Sequence, residues 1–146
     1  MERAEQYRDI MVEEQIAARG ITDGRLLRAF RSVPRHVFVP EVDHFTAYTD
    51  SPLSIGSGQT ISQPYIVAKM CELADLHGTE RVLEVGTGSG YAAAVLSLLA
   101  EEVYTIERLK TLYERAQRIL EQNEYHSVHC IEGNGYEGYE EAAPYD

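Results

Sequence analysis

The chain has 146 residues, of which 44% are hydrophobic, and it carries 13 Lys and Arg against 24 Asp and Glu. This length and composition suffice for one globular domain with a substantial core. Residues 1–40 hold seven basic and six acidic side chains, whereas residues 41–146 hold six and eighteen. Neither part offers the basic stripe that contacts phosphates, so the composition argues against nucleic acid as a partner.

The sequence also argues against a membrane protein and an exported one. Its longest apolar stretch, residues 92–100, is broken by Ser97 and is too short to span a bilayer. The first residues are charged where a signal peptide would be apolar. Cys71 and Cys130 show no spacing typical of a disulfide framework or a metal site. We therefore expect a cytoplasmic protein without a metal.

The N-terminal half predicts helices separated by loops. Gly20 and Pro34 stop the first two helices, and Pro64 suits the start of the third. A segment rich in Gly, Ser, Pro and Thr predicts an ordered loop or a linker. The predicted elements are a helix over 4–19, a helix over 23–33, an extended stretch over 37–40, the loop over 50–64 and a helix over 65–76.

The C-terminal half alternates strands and helices. Right-handed crossovers would make its three strands parallel neighbours in a doubly wound α/β sheet, with a ligand crevice at their carboxyl ends. We expect a single domain, in which residues 1–78 form a helical cap and substrate loop and residues 79–146 form the sheet. The predicted elements are strands over 81–85, 103–106 and 127–131 and helices over 91–99 and 110–123.

A glycine-rich loop, Gly86-Thr87-Gly88-Ser89-Gly90, directly follows the first predicted strand. Glycines at this point let the backbone approach a ligand closely. Glu107 ends the next strand, where a carboxylate accepts hydrogen bonds from ribose hydroxyls. Together they predict an adenosine site, against the simpler interpretation of a tight turn and a solvated strand end.

The identity of the adenosine cofactor depends on the residues around this loop. A dinucleotide fingerprint counted from Gly86 needs a small residue where Tyr91 stands, although a frame of Gly88, Gly90 and Ala93 remains open. The three alternating glycines after the acidic Glu84 resemble motif I of the S-adenosylmethionine methyltransferases. S-adenosylmethionine is therefore favoured over NAD.

Further motifs run along nearly the whole chain and resemble the protein-L-isoaspartate O-methyltransferases. The segment Gly58-Gln59-Thr60-Ile61-Ser62-Gln63-Pro64 is close to diagnostic of that family. The other matching segments are 33–40, 47–50, 52–57, 82–91, 104–108 and 143–146.

The resemblance implies a Rossmann-like methyltransferase sheet and methyl transfer from S-adenosylmethionine to the free α-carboxylate of L-isoaspartyl residues in damaged proteins and peptides. It gives the catalytic role to Ser62, which by itself would be interpreted as a helix N-cap. His36 is expected to be structural, and Asp50 either shapes the substrate loop or forms a turn. The residues expected to bind the cofactor are Gln59, Thr60, Ile61, Ser62, Glu84, Gly86, Gly88, Gly90, Glu107, Asn134 and Gly135.

One departure from the family pattern is Asn134, which stands where the family carries an aspartate expected to bond the adenine amino group. An asparagine oxygen still accepts that bond, without the charge. The Asn134-Gly135 pair is also prone to deamidation, which intact-peptide mass spectrometry would detect after long incubation.

The chain also stops near residue 146, where the family's fourth strand would begin. That strand would lie beside the strand over 81–85, so we expect an unpaired sheet edge that invites self-association. On this expectation the polypeptide alone is inactive or weakly folded unless a second copy or another chain covers the edge.

Three alternatives remain at this point. The chain is either a methyltransferase for another acceptor, such as a small carboxylate or a tRNA base, or an inactive cofactor-binding fragment. A nicotinamide oxidoreductase is the third.

Overall fold

The computed structural model describes residues 2–146 and consists of two compact units, divided in the sequence between Asp75 and Leu76. The single domain expected from the sequence stays a prediction. None of the helices among these residues is long and apolar enough to cross a membrane.

The N-terminal unit is mainly helical. Its core includes Phe30 and Val33, which are fully buried. The second helix begins at a side-chain cap, because Asp23 accepts a hydrogen bond from the Arg25 backbone N–H at 2.9 Å. The helices are α1 Glu2–Ile10, α2 Gly24–Ser32, α3 His44–Ala47 and α4 Pro64–Ala74, with a π-helical segment Met11–Ile16 and 3₁₀ turns Ala17–Arg19 and Arg35–Phe38.

The first predicted helix, over 4–19, is helical throughout but does not keep α-helical winding. After α1 it widens into the π segment and then tightens into a 3₁₀ turn that ends at Gly20, whose φ is 97°. Met11 and Ile16 stand five residues apart, which is the spacing of one π turn, and both are fully buried. The predicted helix is therefore present, and burial of both side chains accounts for its wider turn.

The predicted extended stretch over 37–40 is wrong, because Arg35–Phe38 is a 3₁₀ turn. Residues three apart eclipse each other in a 3₁₀ turn. Arg35 and Phe38 are three apart and both have 0% exposure. Burial of these two large side chains on one side thus fixes the turn.

The predicted loop over 50–64 contains an antiparallel hairpin of β1 Leu53–Gly56 and β2 Gln59–Ile61. Ser57 and Gly58 connect the strands and have φ values of 55° and 71°. Two successive positive φ values define the turn type that suits a two-residue hairpin. The Gly- and Ser-rich composition of this region thus supports a turn between two short strands. The next helix, α4, begins at Pro64 and ends at Ala74, two residues before the predicted end.

The C-terminal unit is a parallel sheet in the strand order β3-β4-β5, which confirms the predicted βαβαβ arrangement. Each boundary lies within two residues of the prediction. The elements are β3 Arg81–Val85, α5 Tyr91–Ser97, β4 Glu102–Glu107, α6 Lys110–Gln122 and β5 Val128–Glu132, followed by 3₁₀ turns Gly135–Glu137 and Glu140–Ala142.

The two faces of this sheet differ in what covers them. Val82, Val103 and Val128 lie in register on one face, within a hydrophobic cluster that includes Ala93 of α5 and Ala100. Burial of these apolar groups fixes the register of all three strands.

On the other face, the Tyr104 ring stacks on His129 with centroids 4.7 Å apart and contacts Tyr139 and Tyr145 at 6.0 and 6.1 Å. The segment after β5 therefore covers part of this second face.

β3 is one of the two edge strands of this sheet. At its first residue, the Arg81 N–H donates to Asp146 Oδ2 and the Asp146 N–H donates to the Arg81 carbonyl, both at 2.9 Å. Val85, at the other end of the strand, is 63% exposed. The chain thus returns to this edge at Asp146 and contacts the start of β3.

Candidate functional site

The glycine loop between β3 and α5 has a conformation that side chains would oppose. Gly86 and Gly90 have φ values of 93° and 91°. A Cβ at Gly86 would meet no atom within 4 Å, so this glycine leaves open space beside the backbone. A Cβ at Gly90 would lie 3.3 Å from Leu120 and 3.4 Å from Ala116, so the third glycine lets α6 pack against the loop. The loop therefore packs against α6 at Gly90 and has open space beside its backbone at Gly86.

Glu107, at the end of β4, anchors this loop. Its Oε1 accepts the Gly88 N–H and its Oε2 accepts the Leu109 N–H, both at 2.9 Å. The residue is only 7% exposed. A carboxylate offers about four lone-pair positions, so each oxygen retains acceptor capacity beyond these two bonds. Such a carboxylate suits a ligand that offers hydroxyl donors.

A second carboxylate, Glu84, belongs to a chain of hydrogen bonds with the side chains of Thr105 and Thr87. The Thr105 hydroxyl donates to Glu84 Oε1 at 2.6 Å and lies 2.6 Å from the Thr87 hydroxyl. Thr105 is fully buried. This chain of hydrogen bonds therefore joins the glycine loop, β4 and β3. Sequence reasoning missed both threonines, although Thr105 faces Glu84 directly in the parallel register.

The protonation of Glu84 differs from that of an ordinary glutamate. Burial raises its pKa, the Thr105 hydrogen bond lowers it and the nearby Glu107 charge raises it, with a net pKa of about 7. Glu84 and Glu107 thus form a pair in which Glu84 takes up a proton near neutral pH.

The turn after β5, which contains Asn134 and Gly135, lies close to the end of β3. Asn134 is exposed, and its Oδ1 accepts the Tyr136 N–H at 3.0 Å. A Cβ at Gly135 would overlap Cγ1 of Val85, so only glycine fits this close approach to β3. One neighbourhood at the carboxyl ends of the strands contains Glu84, Gly86, Gly88, Gly90, Glu107, Asn134 and Gly135.

The remaining predicted residues belong to the N-terminal unit. Ile61 is buried, whereas Gln59, Thr60 and Ser62 are exposed on β2 and just after it. The cap of α4 is Gln63, so the structure rules out Ser62 as its N-cap. Among residues 2–146 the Ser62 hydroxyl makes no hydrogen bond, and it is therefore available to a ligand.

The sequence also singled out two other polar residues, His36 and Asp50. Each of them makes a hydrogen bond to a neighbouring segment. His36 Nδ1 lies 2.9 Å from the Tyr48 hydroxyl, and burial, with the His44 and Arg8 charges, lowers the His36 pKa. Asp50 accepts a hydrogen bond from Gln63 Nε2 at 3.0 Å. Both residues therefore support neighbouring segments. Within the described residues no group of three His, Cys, Asp or Glu side chains is placed to hold a metal.

The geometry fits an adenosine cofactor. The backbone is open at Gly86, the Glu107 carboxylate keeps acceptor positions, and Asn134 is exposed near the end of β3. Tyr91 is fully buried at the first turn of α5, where a dinucleotide fingerprint needs a small side chain. The fold and these residues define a Rossmann-like α/β protein built around an adenosine cofactor.

Comparison with known proteins gives the family. The model of the protein-L-isoaspartate(D-aspartate) O-methyltransferase family matches residues 6–146. The chain belongs to this family, and the predicted methyltransferase fold is confirmed.

Individual relatives agree with this assignment. The chain is 55% identical over 139 residues to protein-L-isoaspartate O-methyltransferase 2 of Shewanella sediminis, which covers 95% of the chain and 57% of the relative. It is 49% identical to the protein-L-isoaspartate O-methyltransferase of Syntrophus aciditrophicus, over 100% of the chain and 67% of the relative. A solved protein-L-isoaspartate O-methyltransferase superimposes with a TM-score of 0.85 at 32% identity, over 98% of this chain and 46% of that one.

A more distant structure shows the same fold. It is a Plasmodium falciparum protein in complex with S-adenosyl-L-homocysteine, with a TM-score of 0.76 at 24% identity, covering 92% of this chain and 66% of that one. The chain spans 57% to 67% of the length of the curated relatives it matches.

Proposed function

We propose that this chain carries the cofactor site and the catalytic segment, residues 59–62, for methyl transfer from S-adenosylmethionine. The acceptor is the free α-carboxylate of L-isoaspartyl residues in damaged proteins and peptides. The observation that carries the proposal is the Gly88–Glu107 hydrogen bond, which sets the glycine loop against a carboxylate with spare acceptor positions. Family membership supports the choice of acceptor. We also propose that the reaction takes place in the cytoplasm, the compartment that the composition of the sequence favours.

The residues at the strand ends suit the parts of this cofactor. Glu107 accepts hydrogen bonds from the ribose hydroxyls, and Asn134 Oδ1 accepts one from the adenine amino group. Gly86 leaves room for the amino-acid end beside the backbone. S-adenosylmethionine, when bound, supplies an electrophilic methyl group on a positively charged sulfur. The ionised form of Glu84 complements that charge.

The acceptor needs little chemical activation. A substrate carboxylate is ionised at neutral pH, so one of its oxygens forms the new bond to the methyl carbon while the carbon–sulfur bond breaks and sulfur keeps the electron pair. No proton moves, and no general base is required. The protein therefore contributes orientation and desolvation, which supply several kcal/mol in favourable cases.

Ser62 is the residue that we assign to orientation. Its exposed hydroxyl has no partner among residues 2–146, and a hydroxyl donates to a carboxylate without protonating it. Thr60 offers a second exposed hydroxyl on the same segment. Both would hold the substrate carboxylate through hydrogen bonds.

Substitution of Ser62 tests this assignment. Ser62→Ala should lower kcat for an isoaspartyl peptide by about tenfold or more, because the substrate carboxylate loses a hydrogen bond. Ser57→Ala, in the hairpin turn, is the matched control. Equal kcat values for the two variants would contradict the role of Ser62.

A second candidate is a cofactor-binding chain without turnover. The exposed end of β3 favours it, because a sheet edge there leaves one side of the crevice open. We propose that such a chain gains turnover only when a second copy pairs with this edge, so that methylation per chain rises with protein concentration. Sedimentation velocity would follow the association, and a monomer with full activity at every concentration would contradict it.

A further inference from the structure

A buried arginine holds the backbone of the catalytic segment. Arg35 has 0% exposure, its Nε donates to the Ala47 carbonyl at 2.7 Å and its Nη2 donates to the Ser62 carbonyl at 3.0 Å. One guanidinium group therefore joins the end of α3 to Ser62, whose hydroxyl we assign to orientation of the substrate.

The chemistry of Arg35 explains why this position needs an arginine. Burying a positive charge costs several kcal/mol unless its donors are satisfied, and an apolar side chain would fill the space without that cost. The guanidinium offers several donors in a rigid planar fork, whereas a lysine has one compact ammonium group. Only the fork reaches two carbonyls, from segments distant in sequence, at fixed positions.

A second contact holds the residue that follows Ser62. Gln63 Nε2 donates to Asp50 Oδ1 at 3.0 Å. Asp50 also forms an ion pair with Arg19, whose guanidinium carbon lies 5.3 Å from the centre of the Tyr65 ring. The backbone is thus tied at Ser62 itself and again at Gln63.

The segment 47–50, which supplies these ties, is itself fixed to the first helical run. Gln15 Nε2 donates to the Tyr48 carbonyl at 2.8 Å, and Arg19 pairs with Asp50. Both side chains come from the π and 3₁₀ part of that run. The helices of the N-terminal unit therefore support segment 47–50, which in turn supports the catalytic segment.

We infer that Arg35 and Asp50 are positioning residues for the Ser62 hydroxyl. Arg35 holds the Ser62 carbonyl and Asp50 holds the Gln63 side chain, so the backbone is fixed while the hydroxyl faces solvent. The catalytic consequence rests on the proposed function, but the order of the segment does not.

Hydrogen exchange tests the positioning without any need for activity. In the 146-residue chain, exchange of the amides over 59–63 should be about tenfold faster in Arg35→Lys and in Asp50→Ala than in the unmodified chain. Arg31→Met, which breaks the exposed Arg31–Glu13 ion pair, is the control and should leave that exchange unchanged. Exchange rates equal to the control in both variants would overturn the inference.

Two further comparisons separate positioning from a general loss of structure. If Arg35→Lys does not fold, the exposed Asp50 variants still decide the question. Asp50→Asn keeps an oxygen for Gln63 Nε2, so it should restore slow exchange where Asp50→Ala does not. Failure of Asn to restore it would overturn the role of Asp50.

Kinetics then connects position with catalysis. Arg35→Lys should lower kcat for the isoaspartyl peptide by about tenfold, as Ser62→Ala does, because both variants weaken the same contact to the substrate carboxylate. An unmodified chain that transfers no methyl would refute the proposed function and leave the exchange result intact. An active chain whose Arg35→Lys variant keeps full kcat would refute the positioning role.

Discussion

Glu84, near the end of β3, feels the charge of the Glu107 carboxylate at the end of β4. Its pKa is about 7 instead of 4.5, because burial raises it, the Thr105 hydrogen bond only partly offsets this, and the Glu107 charge raises it further. The folded chain therefore holds a proton on Glu84 over a pH range in which the unfolded chain has lost it. A positively charged cofactor would favour the ionised form and release that proton on binding.

The stability of the protein should consequently fall as pH rises through this range. Between about pH 4.5 and pH 7 the native state binds more protons than the unfolded state, so the free energy of unfolding decreases by up to about 3 kcal/mol and then stays level. Glu84→Gln remains neutral and should remove this slope in urea denaturation curves. An unchanged slope in the variant would contradict the raised pKa.

Glu80 gives a contrast for the same measurement. Backbone N–H groups of residues 77–79 donate to its carboxylate and lower its pKa. Its contribution to stability is present above its ordinary pKa of 4.5 and is lost as pH falls below that value, so Glu80→Gln should lower stability at neutral pH and leave the slope between pH 4.5 and pH 7 unchanged.

Asn134 offers a neutral oxygen where the family pattern has a charged one. A hydrogen bond to a carboxylate is stronger than one to an amide oxygen by about 1 kcal/mol. Asn134→Asp should therefore lower the Kd for S-adenosylmethionine roughly fivefold in calorimetric titrations. Gln122→Glu adds the same charge at the exposed end of α6 and should not change the Kd. Equal affinities for Asn134→Asp and the unmodified chain would show that Asn134 does not contact the adenine.

At the scale of elements, the approach of the turn after β5 to β3 determines the shape of the adenine end of the site. Gly135 lies against Val85 so closely that a methyl group would overlap it. The neighbouring Asn134 caps the 3₁₀ turn that begins at Gly135. A displacement of this turn would therefore move Asn134 away from the strand ends.

Gly135→Ala should destabilise the protein by about 1–3 kcal/mol and weaken binding of S-adenosylmethionine, because the added Cβ forces the turn off β3. Val85→Ala removes the obstructing methyl groups. The double variant should recover most of the affinity lost in Gly135→Ala, with Val85→Ala alone as control. If the double variant binds as poorly as Gly135→Ala, the Val85 contact is not the cause.

Periodicity and turn chemistry predicted the C-terminal elements well, because each strand is bounded by a glycine or by a helix with a clear apolar side. The same signals predicted the N-terminal unit less well. The π turn depends on burying Met11 and Ile16 together, and the 3₁₀ turn depends on burying Arg35, which no local pattern reveals. The hairpin over 53–61 was hidden because its turn residues outnumber the alternating apolar residues of its short strands.

The site was predictable to the extent that it consists of motif residues. The glycines, Glu107 and the segment 59–62 follow from spacing and resemblance. Thr105 and Arg35 do not, because their roles arise from strand register and from burial between segments distant in sequence.

At the scale of the whole molecule, the chain combines two units with distinct tasks. The C-terminal unit, 76–146, supplies the strand ends with their glycine loop and carboxylates, and the N-terminal unit supplies Ser62 on a braced segment. The edge of β3 at Val85 is where this chain would meet a further strand or a second copy.

Transfer of labelled methyl from S-adenosylmethionine to an isoaspartyl peptide, beside the matching aspartyl peptide, tests this account most directly. The two peptides differ only in which carboxylate is free, so the comparison isolates recognition of the α-carboxylate. We predict methylation of the isoaspartyl peptide alone, at a rate that Ser62→Ala reduces. Equal methylation of both peptides, or no transfer by a chain that binds the cofactor, would contradict the proposed function.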